Sequence, residues 1–266
     1  KKSFKKTIGI IGVGYVGLPL AVNFSKYFNV IAYDKNKSRI SELKKKIDRN
    51  LDYNKGNLSN SSLKFSSTYD ELKQCNIYII TLPTPLDIKG SPDLTLVIDA
   101  TKKVSKIIKN NDIIIFESTF YPGTVDEILI PIIERNSNLN SKTDFFVGYS
   151  PERINPGDKY HRLEKIKKII ASNTKEGKII IRNLYKKIIK AGIYEVSSIK
   201  TAELSKILEN SQRYVNIALV NQISTLCDKL DIQTKEVIDA ASTKWNFMSF
   251  YPGLVGGHCV AIDPIY

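Results

Sequence analysis

A glycine-flanked cysteine near the end of the chain has the residue types of a covalent catalyst. Gly256 and Gly257 precede His258 and Cys259, and Asp263 follows the cysteine by four residues. Two glycines let a substrate approach the backbone closely. If a helical turn begins here, free N–H groups lower the pKa of the thiol, and Asp263 lies on the same face. The stretch predicts a nucleophile at Cys259; the alternative, from these residues alone, is a buried and unreactive cysteine.

Lys206 and Asn210 form a second pair with catalytic potential. They are four residues apart in a segment with apolar residues at helical spacing, so an ammonium and an amide share one helix face. Such donors stabilise an oxyanion or a developing alkoxide. The alternative for Lys206 is a solvated lysine on an amphipathic helix. Together with Cys259, the pair favours a reactive site.

Three glycines near the start of the chain predict a dinucleotide site. Gly12, Gly14 and Gly17 form G-x-G-x-x-G between a short apolar run and the start of a helix. The first permits a tight turn, the second lets the backbone approach a pyrophosphate, and the third lets helix and strand pack closely. The N–H groups of the helix start attract that anion. The alternative is that the glycines serve only the turn.

Asp34 selects among dinucleotides. It ends the second predicted strand, where a carboxylate accepts hydrogen bonds from the adenosine ribose. The same charge repels a 2′-phosphate, so we expect NAD as the cofactor. The basic Lys35 and Arg39 nearby keep NADP open as the alternative.

Short apolar runs alternate with helical patterns over most of the chain. The runs predict buried strands at residues 7–11, 29–34, 76–81, 112–116, 144–148, 167–171 and 191–196. Helices are predicted between them, at residues 17–28, 37–46, 94–108, 124–135 and 174–188. The polar stretch 50–67, rich in Asn and Ser, predicts a surface excursion. The alternation predicts an α/β fold with a Rossmann-type, doubly wound parallel sheet.

The remaining part of the chain is helical. Residues 199–230 contain no Pro or Gly and predict one long helix, followed by a second helix at 233–242. We therefore predict an NAD-binding domain at 1–198. Residues 199–266 would form a central helix and a helical middle domain that carries Cys259. A helix of this length suggests a spine between domains or subunits, and hence a homodimer.

Composition narrows the function classes. The net charge of +13 suggests nucleic acid, but no basic stripe interleaved with aromatic residues accompanies it, so we expect no nucleic-acid partner. A positive field instead favours an anionic substrate such as a nucleotide diphosphate. Three widely spaced cysteines and two histidines predict neither disulfides nor a metal site. No apolar run is long enough to cross a bilayer, so we expect a cytoplasmic protein.

Several motifs, in order, resemble the UDP-glucose/GDP-mannose dehydrogenase family over essentially the whole chain. They are Gly12-Val13-Gly14-Tyr15-Val16-Gly17-Leu18-Pro19, Pro83-Thr84-Pro85, Glu117-Ser118-Thr119, Pro151-Glu152-Arg153, Glu203-Leu204-Ser205-Lys206 with Asn210, and Gly256-Gly257-His258-Cys259 with Asp263. The segments 149–158 and 244–259 look like the branch that oxidises UDP-N-acetylhexosamines. The resemblance implies NAD and a UDP-sugar as ligands, and a product that supplies surface polysaccharide synthesis.

The resemblance also implies catalytic roles. Cys259 would be the nucleophile, Lys206 and Asn210 would stabilise the oxyanion, and Asp263 would support the lysine or a water. The C6 alcohol would become an aldehyde, which Cys259 captures as a thiohemiacetal. A second oxidation would give a thioester, and hydrolysis of that thioester a carboxylate.

Further residues complete the implied site. Thr119 and Glu152 would hold the water used in proton transfer and hydrolysis, and Thr84 and Thr119 would line the nicotinamide side of the cleft. The residues expected to contact NAD are Gly12, Gly14, Tyr15, Val16, Gly17, Asp34, Arg39, Thr81, Pro83, Thr84, Ser118 and Thr119.

The family pattern does not decide every point. Its members carry a further C-terminal α/β domain that contributes to the UDP site. We expect this domain to be absent here, so that the chain alone binds NAD but turns over poorly. The sugar is one of UDP-N-acetylglucosamine, -galactosamine or -mannosamine, or else UDP-glucose. Two competing hypotheses are a single-step hydroxyacid dehydrogenase on the same fold and a non-enzymatic module that senses NAD or binds nucleic acid.

Overall fold

The computed structural model describes residues 6–51, 53–155, 158, 160–256, 260 and 262–266. Its contacts divide the chain into two compact units. The first comprises Lys1–Thr84 with Asp93–Leu204, and the second comprises Pro85–Pro92 with Ser205–Tyr266. The boundary between the units lies inside the long helix, whereas the sequence interpretation divided the domains at residue 198.

The first unit is built on an eight-stranded sheet with the order β3-β2-β1-β4-β5-β6-β7-β8. Neighbouring strands from β3 to β6 are parallel, and β7 pairs with β8 in parallel. The strands are β1 Thr7–Ile11, β2 Asn29–Tyr33, β3 Leu63–Ser66, β4 Ile77–Ile80, β5 Ile113–Phe116, β6 Phe146–Tyr149, β7 Lys168–Ser172 and β8 Ile193–Glu195.

Helices cover both faces of the sheet. The central strands β4 and β5 are apolar at every position and buried throughout, as expected for parallel strands between two helical layers. The buried apolar residues form two clusters. The helices of this unit are α1 Gly17–Phe24, α2 Lys37–Lys44, α3 Thr95–Ser105, α4 Ile130–Ser137 and α5 Lys175–Tyr185. The predicted Rossmann-type α/β fold is confirmed.

Two features of the sheet differ from the sequence interpretation. The strands β6 and β7 are antiparallel, so the sheet is mixed and only its larger part is parallel. The stretch 50–67 is not only a surface excursion, since it contains the edge strand β3. In β3, Leu63 and Phe65 are buried, but four residues in an Asn- and Ser-rich setting carry too little periodicity to predict a strand.

The predicted helix at 124–135 begins differently from an ordinary α-helix. Residues Thr124–Leu129 form a π-helical segment that continues into α4. Before it, Gly123 has a φ of 98°, a conformation that favours glycine. The buried carboxylate of Glu203 accepts hydrogen bonds from the backbone N–H groups of Gly123, at 2.7 Å, and Val125, at 3.0 Å. Glu203 therefore satisfies N–H groups that the start of a helix leaves without partners.

Most of the second unit consists of helices. Helix α6 runs over Ile199–Lys229, as predicted, and its residues from Ser205 onward belong to this unit together with α7, Thr234–Ser242. The side chain of Asn221 exchanges two hydrogen bonds with the backbone of Gly253, at 3.0 and 2.9 Å, and so ties the following loop to α6. No helix in the described residues is long and apolar enough to cross a membrane.

Candidate active site

The glycine turn lies between β1 and α1. Gly12 has a φ of 98°, and its N–H donates to the carbonyl of Tyr33 at 2.8 Å. A Cβ on Gly17 would lie 1.8 Å from the carbonyl oxygen of Gly12, so only glycine permits this packing. A Cβ on Gly14 would meet no atom within 4 Å. Open space beside Gly14 is what a close approach of a pyrophosphate requires.

Two backbone hydrogen bonds orient the carboxylate of Asp34 beside this turn. Its Oδ2 accepts a hydrogen bond from the backbone N–H of Val13 at 2.9 Å, and its Oδ1 accepts one from Asn36 N–H at 2.8 Å. Carboxylate oxygens accept more than one hydrogen bond, so both retain capacity for ribose hydroxyls. The turn and Asp34 therefore fit the adenosine half of a dinucleotide.

Arg39 is buried, and two of its guanidinium nitrogens make hydrogen bonds within the protein. Its Nη2 pairs with Oδ1 of Asp48 at 2.8 Å, and its Nε donates to the carbonyl of Val13 at 3.3 Å. Its Nη1 has no hydrogen-bond partner among the described residues. Arg39 thus supports the glycine turn. The predicted contact of Arg39 with the cofactor stays a prediction.

The loops that follow β4 and β5 are bonded to each other. Thr84 Oγ1 donates to the carbonyl of Thr119 at 2.9 Å, and Ser118 Oγ donates to the carbonyl of Leu82 at 2.6 Å. Thr81 Oγ1 donates to the carbonyl of Gly12 at 2.8 Å. These hydroxyls connect the carboxyl ends of three neighbouring strands, where ligands bind in open α/β sheets.

The other residues expected to contact NAD differ in exposure. The side chains of Tyr15 and Pro83 are exposed, whereas Val16 packs against the core. Thr119 is half-buried. The water-holding role expected of Thr119 stays a prediction.

Glu152 belongs to a buried charge cluster that the sequence interpretation missed. Its Oε1 accepts hydrogen bonds from the backbone N–H groups of Arg153 and Ile154, at 2.6 and 2.7 Å. Its Oε2 pairs with the ammonium of Lys168 at 2.9 Å. The same ammonium pairs with Oε2 of Glu117 at 2.6 Å.

Tyr185 completes this group, which we call the Lys168 cluster: Lys168, Glu117, Glu152 and Tyr185. The Tyr185 hydroxyl donates to Oε1 of Glu117, and Lys168 Nζ lies 5.5 Å from the centre of the Tyr185 ring. The sequence contained a signal for this cluster. Lys168 and Glu117 adjoin apolar runs that predict buried strands, so both charged side chains could be expected to be buried. Only the paired charges, however, make such burial tolerable.

The two carboxyls of the cluster differ in pKa. Burial raises the pKa of Glu117 to about 7, although Lys168 opposes the shift. For Glu152, burial also acts to raise the pKa, but the attraction and hydrogen bond of Lys168 and the two backbone N–H groups outweigh it, so its pKa is lowered. Glu152 is therefore the carboxylate of the pair, and Glu117 is the group that takes up a proton near neutral pH.

In the second unit, the structure brings together three of the predicted catalytic residues. Lys206 and Asn210 lie one turn apart on α6, and the Asn210 amide donates to Oδ2 of Asp263. All three side chains are buried. Burial raises the pKa of Asp263, while the hydrogen bond from Asn210 and the charge of Lys206 oppose the rise. An ammonium and an amide, which are donors that suit an oxyanion, thus meet a carboxyl in one place.

The predicted nucleophile Cys259 lies outside the described residues, as do Gly257 and His258. The other two cysteines, Cys75 and Cys227, are free and buried. Among the described residues, no group of three or more His, Cys, Asp or Glu side chains could hold a metal ion.

Two family models match the chain. Residues 6–189 match the NAD binding domain of the UDP-glucose/GDP-mannose dehydrogenase family, and residues 200–266 match its central domain. The expectation of NAD as the cofactor is thereby confirmed.

Individual relatives agree with these matches. The chain is 47% identical over 97% of its length to UDP-N-acetyl-D-glucosamine 6-dehydrogenase of Pseudomonas aeruginosa, and 50% identical over 97% to the Salmonella typhi protein of the same name. A solved structure of a UDP-D-ManNAc dehydrogenase from Pyrococcus horikoshii matches 97% of the chain with 31% identity and a TM-score of 0.91.

The matches cover only part of the relatives. The chain spans 62% and 61% of the two curated proteins and 63% of the solved structure. Over the part that is matched, both family models and the motifs from the glycine turn to Asp263 indicate the same family. The chain belongs to the UDP-glucose/GDP-mannose dehydrogenase family.

Proposed function

We propose that the protein oxidises the C6 hydroxyl of a UDP-N-acetylhexosamine to a carboxylate in two NAD-dependent steps. The observation that carries this proposal is the buried meeting of Lys206, Asn210 and Asp263. It occurs in a chain that is 47–50% identical to proteins named UDP-N-acetyl-D-glucosamine 6-dehydrogenase. A single hydride transfer needs no cysteine, so Cys259 favours the two-step reaction over a hydroxyacid oxidation.

The residues divide the reaction between them. NAD, when bound, accepts a hydride from C6 in each oxidation. Lys206 and Asn210 stabilise the negative oxygen on C6 as the alcohol gives its proton to the water held by Thr119 and Glu152. The thiolate of Cys259 then adds to the aldehyde carbon, and the carbonyl oxygen takes up a proton to complete the thiohemiacetal. The thiohemiacetal hydroxyl then gives its proton to the same water as the second hydride leaves, and the product is a thioester.

Hydrolysis releases the product. A water held by Thr119 and Glu152 attacks the thioester carbon, and Glu152 takes the proton of the water. The carbon–sulfur bond breaks, Cys259 leaves as a thiolate, and the resulting carboxylic acid releases its proton to solvent to give the carboxylate. Such a base must be ionised at the working pH, which the lowered pKa of Glu152 supports.

The sugar and the assembly are parts of the same proposal. N-acetylglucosamine is the first sugar to test, because the relatives named for it are more similar than the 31–33% identical relatives named for N-acetylmannosamine. The product would supply surface polysaccharide synthesis. The homodimer is supported by apolar side chains that α6 exposes, such as Val215, Leu219 and Leu226.

Full-length protein carrying this chain tests the proposal. It is incubated with NAD and each of the UDP-sugars of N-acetylglucosamine, N-acetylgalactosamine, N-acetylmannosamine and glucose, and NADH formed per sugar consumed is counted. We expect two NADH per sugar. Cys259→Ser should abolish carboxylate formation, whereas Cys227→Ser, the matched loss of a thiol elsewhere, should leave it unchanged. One NADH per sugar, or equal activity of Cys259→Ser, would overturn the two-step reaction.

A further inference from the structure

The antiparallel strand β7 explains why Lys168 reaches Glu152. The carboxyl ends of β5 and β6 meet at one edge of the sheet, with Glu117 directly after β5. In the pairing of β6 with β7, Gly148 faces Ser172 and Tyr149 faces Ala171. Continued past the end of β6, this register sets Glu152 opposite Lys168. Because β7 is antiparallel to β6, its first residue, Lys168, lies at the edge of the sheet where β5 and β6 end. A parallel strand would place its last residue there.

The charges of the Lys168 cluster do not cancel. One ammonium faces two carboxyls, and Lys168 and Glu117 are each only 2% exposed. A buried net negative charge is costly, so the cluster favours one extra proton. Glu152 has two backbone N–H donors besides Lys168, whereas Glu117 has Lys168 and the Tyr185 hydroxyl. The extra proton therefore resides on Glu117, and Glu152 keeps its charge.

We propose that Lys168 and Glu117 are positioning residues that hold Glu152 as a carboxylate and set the pH range in which it acts as a base. This inference rests on the proposed function for its catalytic part. Lys168 supplies the positive charge that stabilises the Glu152 carboxylate. Glu117 pairs with the same ammonium, so its own charge state determines how strongly Lys168 stabilises Glu152. Neither residue needs to contact the substrate.

Four charged or titratable residues surround Glu152 in the part of the chain that the structure describes. Lys168 faces it from β7, Glu117 lies behind Lys168 after β5, and Tyr185 faces Glu117 from α5. On its own loop, Arg153 donates its backbone N–H to Glu152 and its Nη1 to the carbonyl of Lys167. An ion pair that served folding alone would also lower the pKa of Glu152, but it would leave the acid limb of the pH–rate profile unchanged, so the pH–rate profile separates a catalytic role from a structural one.

The direct test is the titration of Glu152 by carbon-13 NMR of labelled glutamate carboxyls in the full-length protein, with Glu152→Gln and Glu117→Gln for assignment. In the unsubstituted protein we expect Glu152 to titrate below its usual value and Glu117 near neutral pH. Lys168→Met should raise the pKa of Glu152 by about one unit or more, because a nearby opposite charge lowers a carboxyl pKa by one to three units.

Matched variants separate charge from folding. Lys168→Arg keeps the positive charge and should keep the low pKa of Glu152. Glu117→Gln removes the competing carboxyl and should leave the pKa of Glu152 low or lower it further. Lys165→Met, at an exposed lysine on the same segment, is the control and should change neither carboxyl. If Lys168→Met does not fold, Lys168→Arg and Glu117→Gln still decide, since a raised Glu152 pKa in both would overturn the proposal.

A kinetic measurement tests the catalytic part. The rate of carboxylate formation is followed against pH, and the acid limb of the profile should move upward in Lys168→Met by the same amount as the pKa of Glu152. At a pH below the shifted pKa, this is a loss of about tenfold per unit. An unchanged Glu152 titration in folded Lys168→Met would overturn the inference, whereas absence of UDP-sugar oxidation with the titration as expected would overturn the proposed function alone.

Discussion

The side-chain amide of Asn210 donates a hydrogen bond to Oδ2 of Asp263, 53 residues further along the chain. Lys206, one turn earlier on α6, faces the same carboxyl with its positive charge. Asp263 thus orients the amide and offsets part of the ammonium charge where both groups are buried. If Lys206 and Asn210 stabilise a negative oxygen, Asp263 fixes the geometry in which they do so.

Replacement of Asp263 by Asn should impair turnover more than substrate binding. The neutral amide cannot balance the charge of Lys206, and its carbonyl oxygen is a weaker acceptor for the Asn210 amide than a carboxylate, so both groups are held less firmly. We expect kcat to fall by about a hundredfold or more, as for loss of an oxyanion donor, with little change in KM. NADH formation by the full-length protein measures both constants. Asp239→Asn, at an exposed acid on α7, is the control, and a similar kcat for the two variants would contradict the assigned role.

Alanine at Gly14 and at Gly17 should have different effects. The Cβ at Gly17 meets the carbonyl oxygen of Gly12 at 1.8 Å, so the turn must move, and we expect a loss of about 1–3 kcal/mol of stability. The Cβ at Gly14 meets no protein atom within 4 Å, so Gly14→Ala should keep its melting temperature and lose only affinity for NAD. Thermal unfolding and calorimetric titration with NAD measure the two quantities. Equal melting temperatures of the two variants would show that a Cβ at Gly17 does not destabilise the turn.

Asp34→Ala should weaken NAD binding without unfolding the protein. The carboxylate is oriented by the N–H groups of Val13 and Asn36, and its loss removes the acceptor expected for the ribose hydroxyls. A hydrogen bond to a charged group contributes about 1.5–3 kcal/mol, so we expect the Kd for NAD to rise by about tenfold or more. Calorimetric titration gives the Kd, and Asp70→Ala, at an exposed acid, is the control. An unchanged Kd would exclude Asp34 from the NAD site.

The stability contributed by Glu203 should decrease as the pH rises. Burial raises the pKa of this carboxyl from 4.5 to about 7, although the N–H groups of Val125 and Gly123 oppose the rise. A carboxyl whose pKa is raised by folding contributes its full stability below the unfolded pKa and loses it as the pH passes the folded pKa. The window is therefore about pH 4.5 to 7.

Comparison with Glu203→Gln isolates this effect, because glutamine does not ionise. The free energy of unfolding is measured in urea from pH 4.5 to 8 for both proteins. We expect the difference, unsubstituted protein minus variant, to decrease through this window and to level off above pH 7. A difference that grows with pH would mean that folding lowers the pKa of Glu203.

Much of the fold and of the candidate site followed from local pattern. The dinucleotide site was predicted from spacing alone, because a strand, a tight turn and a helix are determined by residues close together in sequence. The residues in question are Gly12, Gly14, Gly17 and Asp34. The long helix was predicted for the same reason, since residues 199–230 lack helix breakers and keep one period. Lys206 and Asn210 share a face of this helix in any fold that contains it.

Tertiary structure decided what distant segments do to one another. A buried apolar strand has the same composition in either direction, so the antiparallel pairing of β6 with β7 could not be predicted from Lys168–Ser172 itself. That pairing brings Lys168 between Glu117 and Glu152. The charge state of Glu152 then depends on burial and on an ammonium from another strand, because a carboxyl pKa responds to whatever charge the fold places within a few ångströms of it.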